Sequence, residues 1–132
     1  MASGSTWKGL AEFQRRIDAL PDHVRTAARQ ALEKSTDEAV SLIQRNVATH
    51  PDAPHIRDTV RAEPGRSDLS IDVVMGSEEA PYAAPLEFGH MAPDGSHVPA
   101  QPVFYPAVKV VRKRHRSRIA REVRKALKDG PK

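Results

Sequence analysis

The sequence predicts an α+β fold: a long amphipathic helix and a C-terminal helix packed on a small antiparallel sheet, with a long Pro/Gly-rich loop between them. Three observations carry this reading. Apolar residues recur every three or four positions over Trp7–Leu20, His23–Ala48 and Val108–Leu127, the period of a helix that buries one face. Leu69, Ile71, Val73 and Met75 alternate with Ser70 and Asp72, the period of a half-buried strand. Prolines and glycines punctuate the chain between these segments. At 132 residues, with no internal repeat, one domain over 1–132 is expected, with 1–6 a polar tail.

The first helix places Trp7, Leu10, Phe13, Ile17 and Leu20 on one face, and Pro21-Asp22 stops it and begins the next. The second is the clearest element. Val24, Ala28, Ala31/Leu32, Ser35, Ala39, Leu42/Ile43 and Val47 form its inner face, opposite Arg25, Arg29, Lys34, Asp37 and Arg45. At 1.5 Å per residue it is roughly 35–40 Å long, a spine for the chain. The prolines of 49–54 end it. Thr59–Glu63 and Leu69–Met75 read as a hairpin across Pro64-Gly65-Arg66-Ser67-Asp68. The segment 80–89, with Pro81 and Pro85, is compatible with an edge strand or a short helical turn. A 13-residue loop, His90–Pro102, then leads to Pro106 in the first turn of a helix over 106–128, striped by Val108, Val111, His115, Ile119, Val123 and Ala126/Leu127.

Composition narrows the function classes. The chain has no cysteine, which excludes disulfides, thiol nucleophiles and Cys-ligated metals. No apolar run approaches the roughly 18 residues of a membrane span, so no membrane partner is expected. Met1–Thr6 lacks the apolar stretch of a signal peptide, which predicts a product that stays in the cytoplasm where it is made. Hydrophobic residues at 39% and aromatics at 5% make a thin core, so neighbouring subunits are expected to supply part of the buried surface. The net charge of +4 conceals a split. Residues 109–132 carry 11 basic and two acidic side chains, a charge of +9, which leaves −5 on residues 1–108.

No constellation supports catalysis or a cofactor. His90 and His97, with Glu87 and Asp94 nearby, match no familiar ligand spacing and read as loop polarity. Asp94-Gly95-Ser96-His97 reads as a turn, since neighbours in sequence rarely form a relay. No Gly-x-Ser-x-Gly elbow or phosphate-cradling glycine loop is present. The cations Arg112, Lys113, Arg114, Arg116, Arg118, Arg121 and Arg124 crowd one helix. They fit contact with nucleic-acid phosphates without base readout, or a solvated face complementary to acidic protein. An alternative function on that helix is a small nucleic-acid-binding protein or toxin-like ribonuclease.

Tyr82-Ala83-Ala84-Pro85-Leu86-Glu87-Phe88-Gly89-His90, followed by Val98-Pro99-Ala100-Gln101-Pro102-Val103-Phe104-Tyr105-Pro106-Ala107, resembles the tail-completion or neck proteins of long-tailed bacteriophages and gene transfer agents. His90 stands where Thr is common in that pattern, and Val103 where Phe is common. The resemblance implies a non-enzymatic virion subunit assembled in the host cytoplasm. It would form a homo-oligomeric ring, typically six-fold, at the head–tail junction. Its partners would be itself, head-completion or connector proteins on one rim, and tail terminator or tail-tube proteins on the other, with DNA in the lumen. Tail completion and tail termination both remain open. Tyr82, Leu86, Glu87, Phe88, Gly89, His90, His97, Pro99, Gln101, Pro102 and Phe104 are the expected interface, with 89–102 an interaction loop and Glu87-Phe88-Gly89 a hinge from sheet to loop. Exposed edge strands would invite strand addition between copies.

Overall fold

The computed structural model describes residues 9–49, 54–78 and 81–131. Trp7, the tail 1–6, most of the proline segment after the second helix, and Ala80 lie outside them. Helix α1 runs over Leu10–Asp18 and α2 over Asp22–Ala48, joined by a tight turn in which Leu20 N–H donates to the Ile17 carbonyl. Pro21 occupies the N-cap of α2, with Asp22 in the first turn, where its charge complements the helix N-terminus.

The expected inner face of α2 is the buried one. Val24, Ala28, Ala31, Ser35, Thr36, Ala39, Ile43 and Val47 are all buried. Helix α4, Tyr105–Asp129, begins with proline in its first turn and ends at Gly130. It lies antiparallel to α2. Asn46, near the end of α2, donates to the Val103 carbonyl just before α4, whereas Asp22 and His23 share a groove with Gly130 and Pro131. The small residues on α2 permit this close approach.

The main core collects at one end of this pair. Ile43 and Val47 of α2 meet Ile56, Val60, Ala83, Val103 and Ala107 there, with Val73, Met75, Leu86, Phe104 and Val108 packed around them. Ile43, Val47 and Ile56 are fully enclosed. Each such side chain contributes roughly 1.5–3 kcal/mol of burial. A 3-10 helix over Pro54–Thr59 carries Ile56 into this cluster. Thr59, expected in a strand, instead closes that helix: its hydroxyl donates to the Ile56 carbonyl at 2.6 Å and accepts from Gly76 N–H at 2.8 Å.

Strands β1 (Arg61–Pro64) and β2 (Ile71–Val74) form the expected hairpin, with Ala62 opposite Val73 and Pro64 opposite Ile71. The segment 80–89 resolves to helix: α3 spans Ala83–Phe88. Pro85 fits because it falls within the first turn, where its missing N–H has no helical partner to lose. The segment expected to hand a sheet over to a loop therefore joins a helix to a hairpin. The Pro/Gly-rich loop is itself folded, with β3 (His90–Met91) paired antiparallel to β4 (His97–Val98) in a second two-stranded sheet.

Candidate assembly surface

Glu87 organises the junction between α3 and α4. Its side chain is turned into the chain, 5% exposed, and its carboxylate accepts from three successive backbone N–H groups: Val103 at 2.8 Å, Phe104 at 3.0 Å and Tyr105 at 2.9 Å. These are donors that the start of α4 would otherwise leave without partners, and the negative charge faces the positive end of the helix dipole. Phe104, the N-cap residue, has no side-chain oxygen with which to cap, so the cap is supplied from 17 residues earlier.

Gly89 makes the turn out of α3. Its φ is 81° and ψ 167°, a region open essentially to glycine, and a Cβ there would sit 2.9 Å from the Val98 carbonyl oxygen. The β3–β4 hairpin thus folds back tightly on α3, held also by Gln101 N–H donating to the Leu86 carbonyl at 2.8 Å. At the tip, Asp94 accepts from Ser96 N–H at 2.9 Å and from its hydroxyl at 2.6 Å, which holds the Asp94 carboxyl below its ordinary range. Asp94-Gly95-Ser96 is thereby a closed turn. Among the described residues no three His, Asp or Glu side chains gather as a metal site.

With Glu87 and Gly89 fixing the frame, α3 stands between two grooves. On one side Tyr82, Leu86, His90, Pro99 and Gln101, all expected at an interface, line a depression of about 360 Å³ with His55, Pro85 and Val98. On the other, Phe88 and Phe104 line a smaller one of about 260 Å³ with Val73, Met75 and Tyr105. The rings of Phe88 and Tyr105 lie 5.8 Å apart, and those of Phe104 and Tyr105 lie 5.3 Å apart. Tyr82, Phe88, Met91 and Tyr105 are 60%, 66%, 63% and 58% exposed. Four large apolar side chains left in water on both sides of one short helix and at the start of its hairpin form an interrupted apolar patch, exposure of the kind that marks a protein contact. His97 and Pro102 are exposed beside it, and Glu87 is the expected interface residue that is enclosed. Tyr105 and Met91 belong to the patch although the motif did not single them out.

Among the described residues, a second unpartnered surface lies on α1. The stripe expected to pack inward buries no residue, and Leu10 and Phe13 are each 59% exposed. Only the last turn is tied down. Arg25 donates to the Ile17 carbonyl at 2.7 Å and, at 2.5 and 2.6 Å, to both carboxylate oxygens of Asp68 in the hairpin turn. The hydrogen bond from Arg25 holds the Asp68 carboxyl below its usual range. By contrast, the β1 edge of the β1–β2 hairpin is blunted by Arg61, Glu63 and Pro64, so strand addition on that edge gains little.

The basic helix divides by depth. Arg118 is 12% exposed at its side chain and clamps α4 to α2, donating to Glu38 at 2.6 Å and to the buried Ser35 hydroxyl at 3.1 Å. His115 and Arg114 reach the same Glu38 at 3.2 and 3.3 Å. The Arg118 hydrogen bond, with His115 and the nearby guanidinium charges, pulls the Glu38 carboxyl down to about 2. Arg118, expected to face DNA or an acidic partner, is thus spent inside the chain. Arg112, Lys113, Arg116, Arg121 and Arg124 remain exposed.

Residues 11–89 match the HK97-gp10-like family, described as "Bacteriophage HK97-gp10, putative tail-component". The chain belongs to that family. The HK97-gp10-like match runs from α1 to the glycine that ends α3, and so takes in α2, the β1–β2 hairpin and α3 but not the β3–β4 hairpin or α4. Membership carries the class of phage tail components, structural and virion-associated. No curated protein and no solved structure matches the chain. Among the described residues no helix is long and apolar enough to cross a membrane.

Proposed function

We propose that the chain is the repeating subunit of a ring at the head–tail junction of a phage particle, a tail-completion, neck or terminator protein closed by head-to-tail contact between copies. The carrying observation is the position of the two unpartnered apolar surfaces. The α1 stripe lies at the start of α2 and the Tyr82–Phe88–Met91–Tyr105 patch at its end, 27 residues apart along one helix. At 1.5 Å per residue that is about 40 Å, so the two cannot cover each other within one chain. Pairing one copy's α1 with the next copy's patch is a heterologous contact, and such contacts close into rings when the rotation allows. Six-fold closure, a rim toward the capsid connector and a rim toward the tail tube follow the resemblance of the 82–107 motif.

Gold-tagged protein mixed with isolated tails and with isolated heads, imaged in negative stain, tests the position. Label confined to the head-proximal tip of tails or to the capsid vertex is the expected result. Label spread along the tube, or none on either structure, would sink the placement.

A further inference from the structure

We infer that the outer face of α4 binds duplex nucleic acid through its phosphate backbone, without reading sequence. After Arg118 and Arg114 have been committed to Glu38, a second set of cations stays in water on the side away from α2: Lys109, Arg112, Lys113, Arg116 and Arg124. Among the described residues none of these five has a carboxylate within ion-pair distance. They extend over 16 residues of one unbroken helix, about 23 Å, so the charges are held in a fixed row rather than on a loose tail. A rigid row of this length can run beside several phosphates of a duplex, which carries one negative charge per about 1.7 Å of its axis. Tyr105 is the last aromatic in the sequence, so α4 beyond its first residue offers no ring on which single-stranded bases could stack.

The competing occupant is the acidic body of a second copy, and its carboxylates are poorly placed for the task. Glu12, Glu33, Glu38, Glu63 and Asp68 are already paired with arginines of their own chain, and Glu87 is enclosed. Among the described residues, the exposed carboxylates left over, such as Asp37, Asp58, Asp72 and Glu78, fall on four different segments and form no matching row on one element. Charge complementarity therefore favours a polyphosphate over a copy of the chain.

This surface stands apart from the ring, since it needs only one chain. Fluorescence anisotropy of a labelled ~24-base-pair duplex, titrated with the full-length protein at several salt concentrations, tests it. Engagement of about four phosphates gives a log K against log salt slope near −4, or a loss of roughly 10²-fold between about 50 and about 200 mM salt. The double variant Arg112→Glu/Arg116→Glu is expected to flatten that slope by about two and weaken binding at least roughly tenfold. The double variant Arg57→Glu/Arg66→Glu, with the same change in net charge, is expected to stay within about twofold. Equal losses in both variants would mean bulk attraction only and would overturn the inference. So would absence of binding, or DNA binding left intact in Arg112→Glu/Arg116→Glu while self-assembly, followed by light scattering, collapses. If wild-type protein binds the duplex yet never assembles, the ring fails and this surface stands.

Discussion

Where α2 ends and α4 begins, Ile43, Val47, Ile56, Val60, Ala83, Val103 and Ala107 enclose one another, and Glu87 caps the helix that leaves. At the opposite end, where α1 joins α2 and α4 finishes, no residue of α1 and none of α4 beyond Val111 is buried, and a groove of about 680 Å³ separates the two long helices. Both ends have the same periodic apolar pattern. The difference is what lies across from it: three additional elements pack on the first end, while among the described residues the second has α1, tied down by its last turn through Arg25, and the hairpin turn at Asp68, held from outside by Arg25 and Arg29. One end folds on its own contacts, and the other leaves apolar surface for a neighbour.

Truncation in the closed end is expected to have the largest effect on stability. Ile43→Ala removes a fully enclosed side chain and is expected to lower unfolding free energy by about 3–4 kcal/mol in urea titration, while Leu10→Ala on α1 stays within about 0.5 kcal/mol. Similar losses for the two would erase the contrast.

Glu87→Ala strands three backbone donors at a helix start and is expected to destabilise by about 2–3 kcal/mol, with Glu87→Gln recovering part of it. Hydrogen exchange at the Val103, Phe104 and Tyr105 amides should accelerate with it. Unchanged protection at those amides would remove the capping role. Gly89→Ala forces an alanine into positive φ against the Val98 carbonyl, an expected loss of about 1–3 kcal/mol with chemical-shift changes confined to α3 and the β3–β4 hairpin.

The Glu38 clamp acts midway along the helix pair and should be the most pH-sensitive contact. Its carboxyl lies near 2 in the folded chain against an ordinary 4.5, so the pairing contributes fully above the ordinary value and is lost as pH falls from about 4.5 toward 2. Thermal unfolding followed over that window should show a decline that is shallower in Glu38→Gln. Parallel declines would assign the acid sensitivity to other carboxylates.

Particular residues show how far the sequence carries. The inner face of α2 was legible position by position, because a long helix with one buried stripe writes its period directly into the chain. The hairpin was legible from alternation plus its turn, although its first strand starts late because Thr59 is drawn into the 3-10 helix and takes in Pro64 of the expected turn, and its second strand is shorter, Ile71–Val74. The segment 80–89 was ambiguous, since its two prolines are tolerated both at an edge strand and in a first helical turn. The role of Glu87 was hidden: its three partners lie 16 to 18 residues away, and no local pattern marks a carboxylate that caps a distant helix. Arg118 carried a readable signal in its helical phase, one position before Ile119 of the apolar stripe and four after Arg114. That phase places it at the inward margin rather than among the outward cations. The α1 stripe announced a face but not what covers it, and periodicity never does.

The central claim, head-to-tail pairing of the two unpartnered ends, is tested most directly by mixing variants each blocked on one side. Leu10→Ser/Phe13→Ser removes the α1 face and Phe88→Ser/Met91→Ser removes the patch, and native mass spectrometry reads the assemblies. The wild-type chain is expected to give closed oligomers, each variant alone a monomer, and the equimolar mixture a heterodimer that grows no further, because only one complementary pair of faces survives. Oligomers formed by either variant alone, or a mixture that stays monomeric while the wild type assembles, would contradict it.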